Sequence, residues 1–229
     1  MKNSELKSNT DEKPTEKIEE KLGKEKKEMN KQLLKVLDNE KESNIKTEYL
    51  YKDSEGEDYL KVVRHNSGEK FGIMHYDTET KEYKYGRGDL EFIPYHLEDL
   101  IKDSRNVVFI TNGEKDADTL EQLGFLATTA LTASPYKWKS SYSTYLKGKY
   151  VIILEDNTEE ARNFAENTEK KVCYSAKKVA RLEITDLAEA LNVKVKYNFD
   201  ITKVRESLQD DEKLKKVLLE LKKEIEEVE

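Results

Sequence analysis

The sequence predicts an α/β protein: a mostly parallel sheet flanked by helices, preceded by a small antiparallel β-rich subdomain, with helical N- and C-terminal extensions. Three observations lead there. From Val107 onward, short apolar runs alternate with helix-patterned segments. Between Thr47 and Tyr85, tyrosine-rich and β-branched runs alternate polar and apolar residues and break at turn residues. At both ends of the chain, apolar residues recur at helical spacing among Lys and Glu. The division that follows is a charged tail and amphipathic helix over 1–45, a β-rich subdomain over 46–104, an α/β domain over 105–208 and an amphipathic helix over 209–229.

Each element has its own signal. Asn3–Pro14 has almost nothing to bury and reads as disordered tail. From Thr15 to Asp38, Ile18, Leu22, Met29, Leu33 and Val36 fall on one helical stripe; it either docks on this chain or binds a partner or a second copy. Ser54-Glu55-Gly56, Asn66-Ser67-Gly68 and Asp77-Thr78 punctuate a meander over Thr47–Tyr85. A helix begins after Pro94 and places Leu97, Leu100 and Ile101 on one face. Val107–Thr111 is a buried strand and Lys115–Leu123 a helix closed by Gly124. Leu126–Thr129, Tyr150–Leu154 and Val179–Ile184 are further strands. Glu159–Lys170 and "DLAEALNVK" are helices, and Asp210–Glu229 carries a stripe of Leu214, Val217, Leu218, Leu221, Ile225 and Val228.

Composition narrows the function. Apolar residues make up 36% against 39% charged, so part of the chain is solvated helix or tail. The single cysteine, Cys173, excludes an intrachain disulfide and a cysteine-based zinc site, and points to a reducing compartment. Without a nearby His or Asp in sequence, it reads as buried or inert. His65, His75 and His96 are scattered and read as structural. No long apolar run is present, so the expectation is a cytoplasmic protein with no membrane partner. A net charge of −7 argues against broad electrostatic coating of nucleic acid but permits a local basic groove.

Two predicted strands end in acids, "NGEKDAD" (Asn112–Asp118) and "EDNTEE" (Glu155–Glu160). Ligands of open α/β sheets lie at the carboxyl ends of strands, and magnesium commonly takes one or two carboxylates. Acids at helix N-termini also complement the helix dipole, so the pattern fits either role.

"FIPYHLEDLIKDSRNVVFITNGEKDADTLEQLGFLATTAL", followed by "WKSSYSTYLKGKYVIILEDNTEEARNFAE", resembles the Toprim domain of phage and plasmid DNA primases. "YLYKDSEGEDYLKVVRH" is similar to the β-rich segment that precedes it there, so the resemblance runs from about Thr47 to Leu208. It implies a catalytic glutamate at the end of the first strand just before a glycine, and an Asp-x-Asp pair at the end of a later strand, together holding magnesium. By position, Gly113 matches the glycine, Asp116 the acid three residues on, and Asp156 the first acid of the pair. The departures bear on the chemistry. Asn112 stands in the glutamate slot, Thr158 in place of the second Asp, and Ala161 where the next helix usually opens on glycine. Asp200 in "FDITK" aligns with a further family acid. Asn carries no charge and cannot serve as a carboxylate base.

The reading is a catalytically degenerate Toprim, primase-like protein of phage or mobile-element type, with no cofactor. It binds nucleic acid or a nucleoprotein partner as a replication regulator or as an inhibitor of host defence, for example an anti-CRISPR. The alternative is an active magnesium-dependent primase or nuclease using Glu114, Asp116 and Asp156, with Glu155 re-supplying an acid through a shifted register. The 229 residues contain no Gly-x-x-x-x-Gly-Lys-Ser/Thr phosphate loop. For nucleic acid, Lys137, Trp138, Lys139, Tyr142, Lys147 and Lys149 interleave cations with aromatics, as backbone tracking and base stacking require. The same aromatics would equally serve as core. A protein partner would engage the terminal helices.

Overall fold

The computed structural model describes residues 45–65, 71–131 and 138–227. The expected helix over Thr15–Asp38, the Asn66-Ser67-Gly68 turn and Lys137 lie outside the described residues. Two four-stranded sheets organise the rest. The first is an antiparallel meander, β1 (Ile45–Lys52), β2 (Asp58–His65), β3 (Phe71–Asp77) and β4 (Glu82–Tyr85), paired in sequence order. The second is parallel, from β5 (Val107–Ile110), β6 (Leu126–Thr128), β7 (Tyr150–Glu155) and β8 (Lys178–Glu183), in the order β6-β5-β7-β8.

Alternation decides which residues of the meander meet the core. Tyr49 lies opposite Val62 and Tyr51 opposite Leu60, so these four side chains project from one face and are buried. The β1–β2 turn is built by Asp53, whose Oδ1 accepts from the backbone N–H groups of Glu55 and Glu57. Gly56 completes it at φ 93°, with the Glu98 carboxyl so close that a Cβ would lie 2.6 Å from it.

In the parallel sheet both faces are covered. β5 is buried at every position, as a strand between two layers should be. Val107 and Phe109 join a core with the meander's inner face and helices α2 (Glu114–Gln122), α4 (Ile184–Ala190), α5 (Ile201–Leu208) and α6 (Asp211–Glu227). Val108 and Ile110 face the other way, onto α1 (Leu97–Lys102), a 3₁₀ segment (Ser140–Leu146) and α3 (Glu159–Val172). Ile152 and Leu154 repeat the first orientation in β7, and Val151 and Ile153 the second. Complete burial of one such Ile or Phe contributes about 1.5–3 kcal/mol.

The C-terminal helix α6 packs Leu214, Leu218 and Ile225 into the first core. Ile101 departs from expectation. Leu97 and Leu100 are buried, but Ile101 is 44% exposed, because a six-residue helix turns it past the narrow contact stripe. The 3₁₀ segment and α5 were not anticipated by periodicity. Among the described residues, no helix is long and apolar enough to cross a membrane.

Candidate functional site

β5 and β7 are hydrogen-bonded neighbours, with Ile110 paired to Ile153, so both chains leave the sheet side by side at their carboxyl ends. From β5 come Asn112 and Gly113, then α2 with Asp116 in its first turn. From β7 come Glu155 and Asp156. A third acid arrives from elsewhere in the sequence. Asn157 Oδ1 accepts from the Phe199 backbone N–H at 2.5 Å and its Nδ2 donates to the Lys196 carbonyl at 2.7 Å. That clamp brings in Asp200, the N-cap of α5.

Asp116, Asp156 and Asp200 repel one another electrostatically. Burial and then the Asp200 charge push the Asp116 carboxyl up to about 6, although Thr202 opposes this through its hydroxyl at 2.6 Å and its N–H at 3.3 Å from Oδ1. Burial, Asp116 and then Asp200 push Asp156 up to about 7, against hydrogen bonding from the Asn112 amide and the nearby Lys203 charge. Asp200 is held closely: its Oδ1 accepts from the Lys203 N–H at 2.8 Å and its Oδ2 lies 2.9 Å from Lys203 Nζ. Buried carboxyls raised by one another's charge favour uptake of a proton or a cation. A single divalent ion needs tighter convergence, however. Among the described residues, the trio whose ligand atoms lie within 4.8 Å of one another is a different one, His96, Asp99 and Glu121.

Two of the three, His96 and Glu121, sit in a hydrogen-bonding knot. His96 Nε2 lies 3.2 Å from Asp118 Oδ1, its Nδ1 pairs with the Ala127 carbonyl, and Glu121 accepts from the Ala127 N–H and pairs with Arg105. Burial opposes charge on His96, but these partners raise its pKa overall.

The remaining expected acids are engaged elsewhere. Glu114 is almost completely buried; it accepts the Tyr51 hydroxyl at 3.0 Å and lies 3.6 Å from Arg64, tying α2 to the meander. Burial and the Glu114 carboxylate hold the Tyr51 phenol well above its usual range. Glu155 accepts from Arg162 at 3.2 Å and lies 3.8 Å from Arg181. Thr158 caps α3, its hydroxyl accepting from the Ala161 N–H at 3.1 Å, and Ala161 is fully buried under that turn. Gly113 is extended at φ −160°, so its conformation does not demand glycine; a Cβ there would stand 3.9 Å from Asp116 Oδ2.

Of the expected aromatic and basic surface, Trp138 and Tyr142 are buried. Trp138 is fully buried and donates from its indole N–H to Ser143, and Tyr142 is 5% exposed and donates to the Phe92 carbonyl. Neither ring face can receive a base. Trp138 and Tyr142 instead pack edge to face, 5.6 Å apart, beneath the sheet. Lys139 pairs with Glu91 at 3.1 Å, and Lys149 donates to the carbonyls of Asp103 and Arg105, its pKa lowered by burial. Lys147 is exposed. Cys173 is exposed rather than buried, at the end of α3.

Sequence reasoning missed Asn157, Thr202 and Lys203. The signal was present: Asp200 precedes Ile201, Val204 and Leu208 at helical spacing, which is an N-cap followed by an apolar stripe. The chain matches no family model and no curated protein.

Proposed function

We propose that the chain is a Toprim-like, primase-related protein whose strand-end site no longer carries out phosphoryl transfer, and that it acts by binding nucleic acid or a nucleoprotein partner. The observation that carries this reading is the occupancy of the strand end before Gly113. Asn112 supplies an amide donor to Asp156 where the chemistry needs a carboxylate base, and Glu114, the nearest replacement, is committed to Tyr51 and Arg64. Thr158 serves α3 as a cap instead of adding a charge. The parallel sheet with helices on both faces, and acids at the ends of its adjacent strands, supports the resemblance. Regulation of replication or obstruction of a host defence complex, such as anti-CRISPR action, are the roles in which binding alone suffices.

A second reading draws on the third acid. An active enzyme that uses Asp200 in place of Glu114 would draw Asp116, Asp156 and Asp200 closer together round a magnesium ion; their mutual repulsion favours uptake of the cation. Calorimetry with magnesium and manganese separates the two. The binding-protein reading expects no tight ion binding, and Asp156→Ala should leave the metal titration as it is in wild type. Tight binding abolished by Asp156→Ala would replace it with the enzyme reading.

A further inference from the structure

We propose that the loop from Asn192 to Asn198 is a contact site for single-stranded nucleic acid, in which lysines take the phosphates and Tyr197 stacks on a base. The inference rests on the nucleic-acid reading above and names the surface that serves it. The loop alternates. Val193 and Val195 pack against the core, while Lys194 and Lys196 are exposed on the opposite side. Tyr197 is 86% exposed, two residues before the buried Phe199.

The loop is built rather than slack. Asn192 and Asn198 both adopt left-handed backbone conformations, at φ 57° and 55°, which asparagine tolerates better than most residues. Asn157 grips the Lys196 carbonyl and the Phe199 N–H, and Lys203 donates to the Asn198 carbonyl. Tyr197 is thus presented from a segment tied down on either side.

Beside it lies a concavity of about 510 Å³ whose lining includes Asn192, Lys194, Lys196, Ser207 and Lys213, with no carboxylate among the lining residues. In a chain of net charge −7, a hollow lined by three lysines and no acid favours an anion. Lys213 is fixed there by donating to the Leu191 carbonyl at 3.0 Å. Cations alone would accept any phosphate. Tyr197 follows Lys196 directly in the chain and lies outside the hollow's lining, so its exposed ring adds a base-stacking surface at the loop's end, which only unpaired bases can reach.

The test is fluorescence anisotropy with a labelled oligothymidine of about 12 nucleotides, within the range one such groove covers. Wild type should bind, with affinity falling as salt rises. Lys194→Glu with Lys196→Glu should weaken binding at least tenfold and flatten the salt dependence. Tyr197→Ala should weaken it about tenfold while leaving competition by inorganic tripolyphosphate unchanged. All three side chains are exposed, so unchanged thermal melting confirms folding. The matched reversal Lys216→Glu with Lys223→Glu, on exposed positions of α6, should have little effect. Oligonucleotide binding that ignores the loop variants, or that falls equally with the α6 pair, overturns this site but leaves the nucleic-acid reading standing. Binding of protein partners without any oligonucleotide affinity overturns both.

Discussion

Replacing Asp156 by asparagine should stabilise the protein, and only above mild acid. The change keeps the side chain's shape and removes a charge that is 8% exposed and faces Asp116 and Asp200. Burial and those two charges raise its carboxyl from 3.8 to about 7. At about 1.4 kcal/mol per pH unit, ionising it in the folded state carries a penalty of about 4 kcal/mol. Because Asp116 titrates with it, part of that figure belongs to the pair, and about 2–3 kcal/mol is the expected gain from Asp156→Asn at pH 8. The sign follows from linkage. A carboxyl raised on folding favours the native state fully below its unfolded pKa near 4, and that contribution is lost as pH rises through about 7. Urea denaturation of wild type and variant at pH 4 and pH 8 measures the difference. The two should nearly coincide in acid and separate at pH 8, with the variant more stable. Equal stability at pH 8, or a variant destabilised there, would refute the argument that these acids strain one another.

Other perturbations test the surrounding contacts. Tyr51→Phe removes the donor to Glu114 and should destabilise by about 1–2 kcal/mol in chemical denaturation, because a buried carboxylate oxygen loses a partner. Thr158→Ala should cost about 1 kcal/mol through the lost α3 cap, whereas Thr158→Asp, an equally good cap, should melt close to wild type. Trp138 is the single tryptophan and is fully buried, so its emission should be blue-shifted, resist iodide quenching and stay unchanged when oligonucleotide is added. A strong response to oligonucleotide would return Trp138 to the binding surface.

The fold was legible where one physical pattern dominated. β5 is wholly apolar and β7 is apolar up to its terminal Glu155, and their burial on both faces followed directly. The meander followed from alternation, while the pairing that buries Tyr49 and Tyr51 came only with the structure. The acids at the ends of β5 and β7 were also readable, since each cluster follows on a strand's apolar run. Asp200 entered only through the resemblance, and the contacts that place these acids were not readable. Asp200 reaches the site only because Asn157 grips a loop some forty positions later in the chain. Asp116 is held by Thr202, likewise far away in sequence. Glu114 looked equivalent to Asp116 by proximity, but helix rotation sends it toward Tyr51 instead. Trp138 and Tyr142 show the opposite ambiguity: aromatics among lysines suit either stacking or packing, and the buried hydrogen bonds to Ser143 and Phe92 decide for packing.

The claim that the strand-end site is silent meets its most direct test in turnover. Wild type and Asp156→Ala would be compared for nucleotide incorporation on a primed and an unprimed single-stranded template, and for cleavage of the same strand, in magnesium and in manganese. The account predicts background signal from both proteins with either ion. Metal-dependent turnover by wild type that disappears in Asp156→Ala would contradict it, and would make Asp116, Asp156 and Asp200 the acids of a working centre.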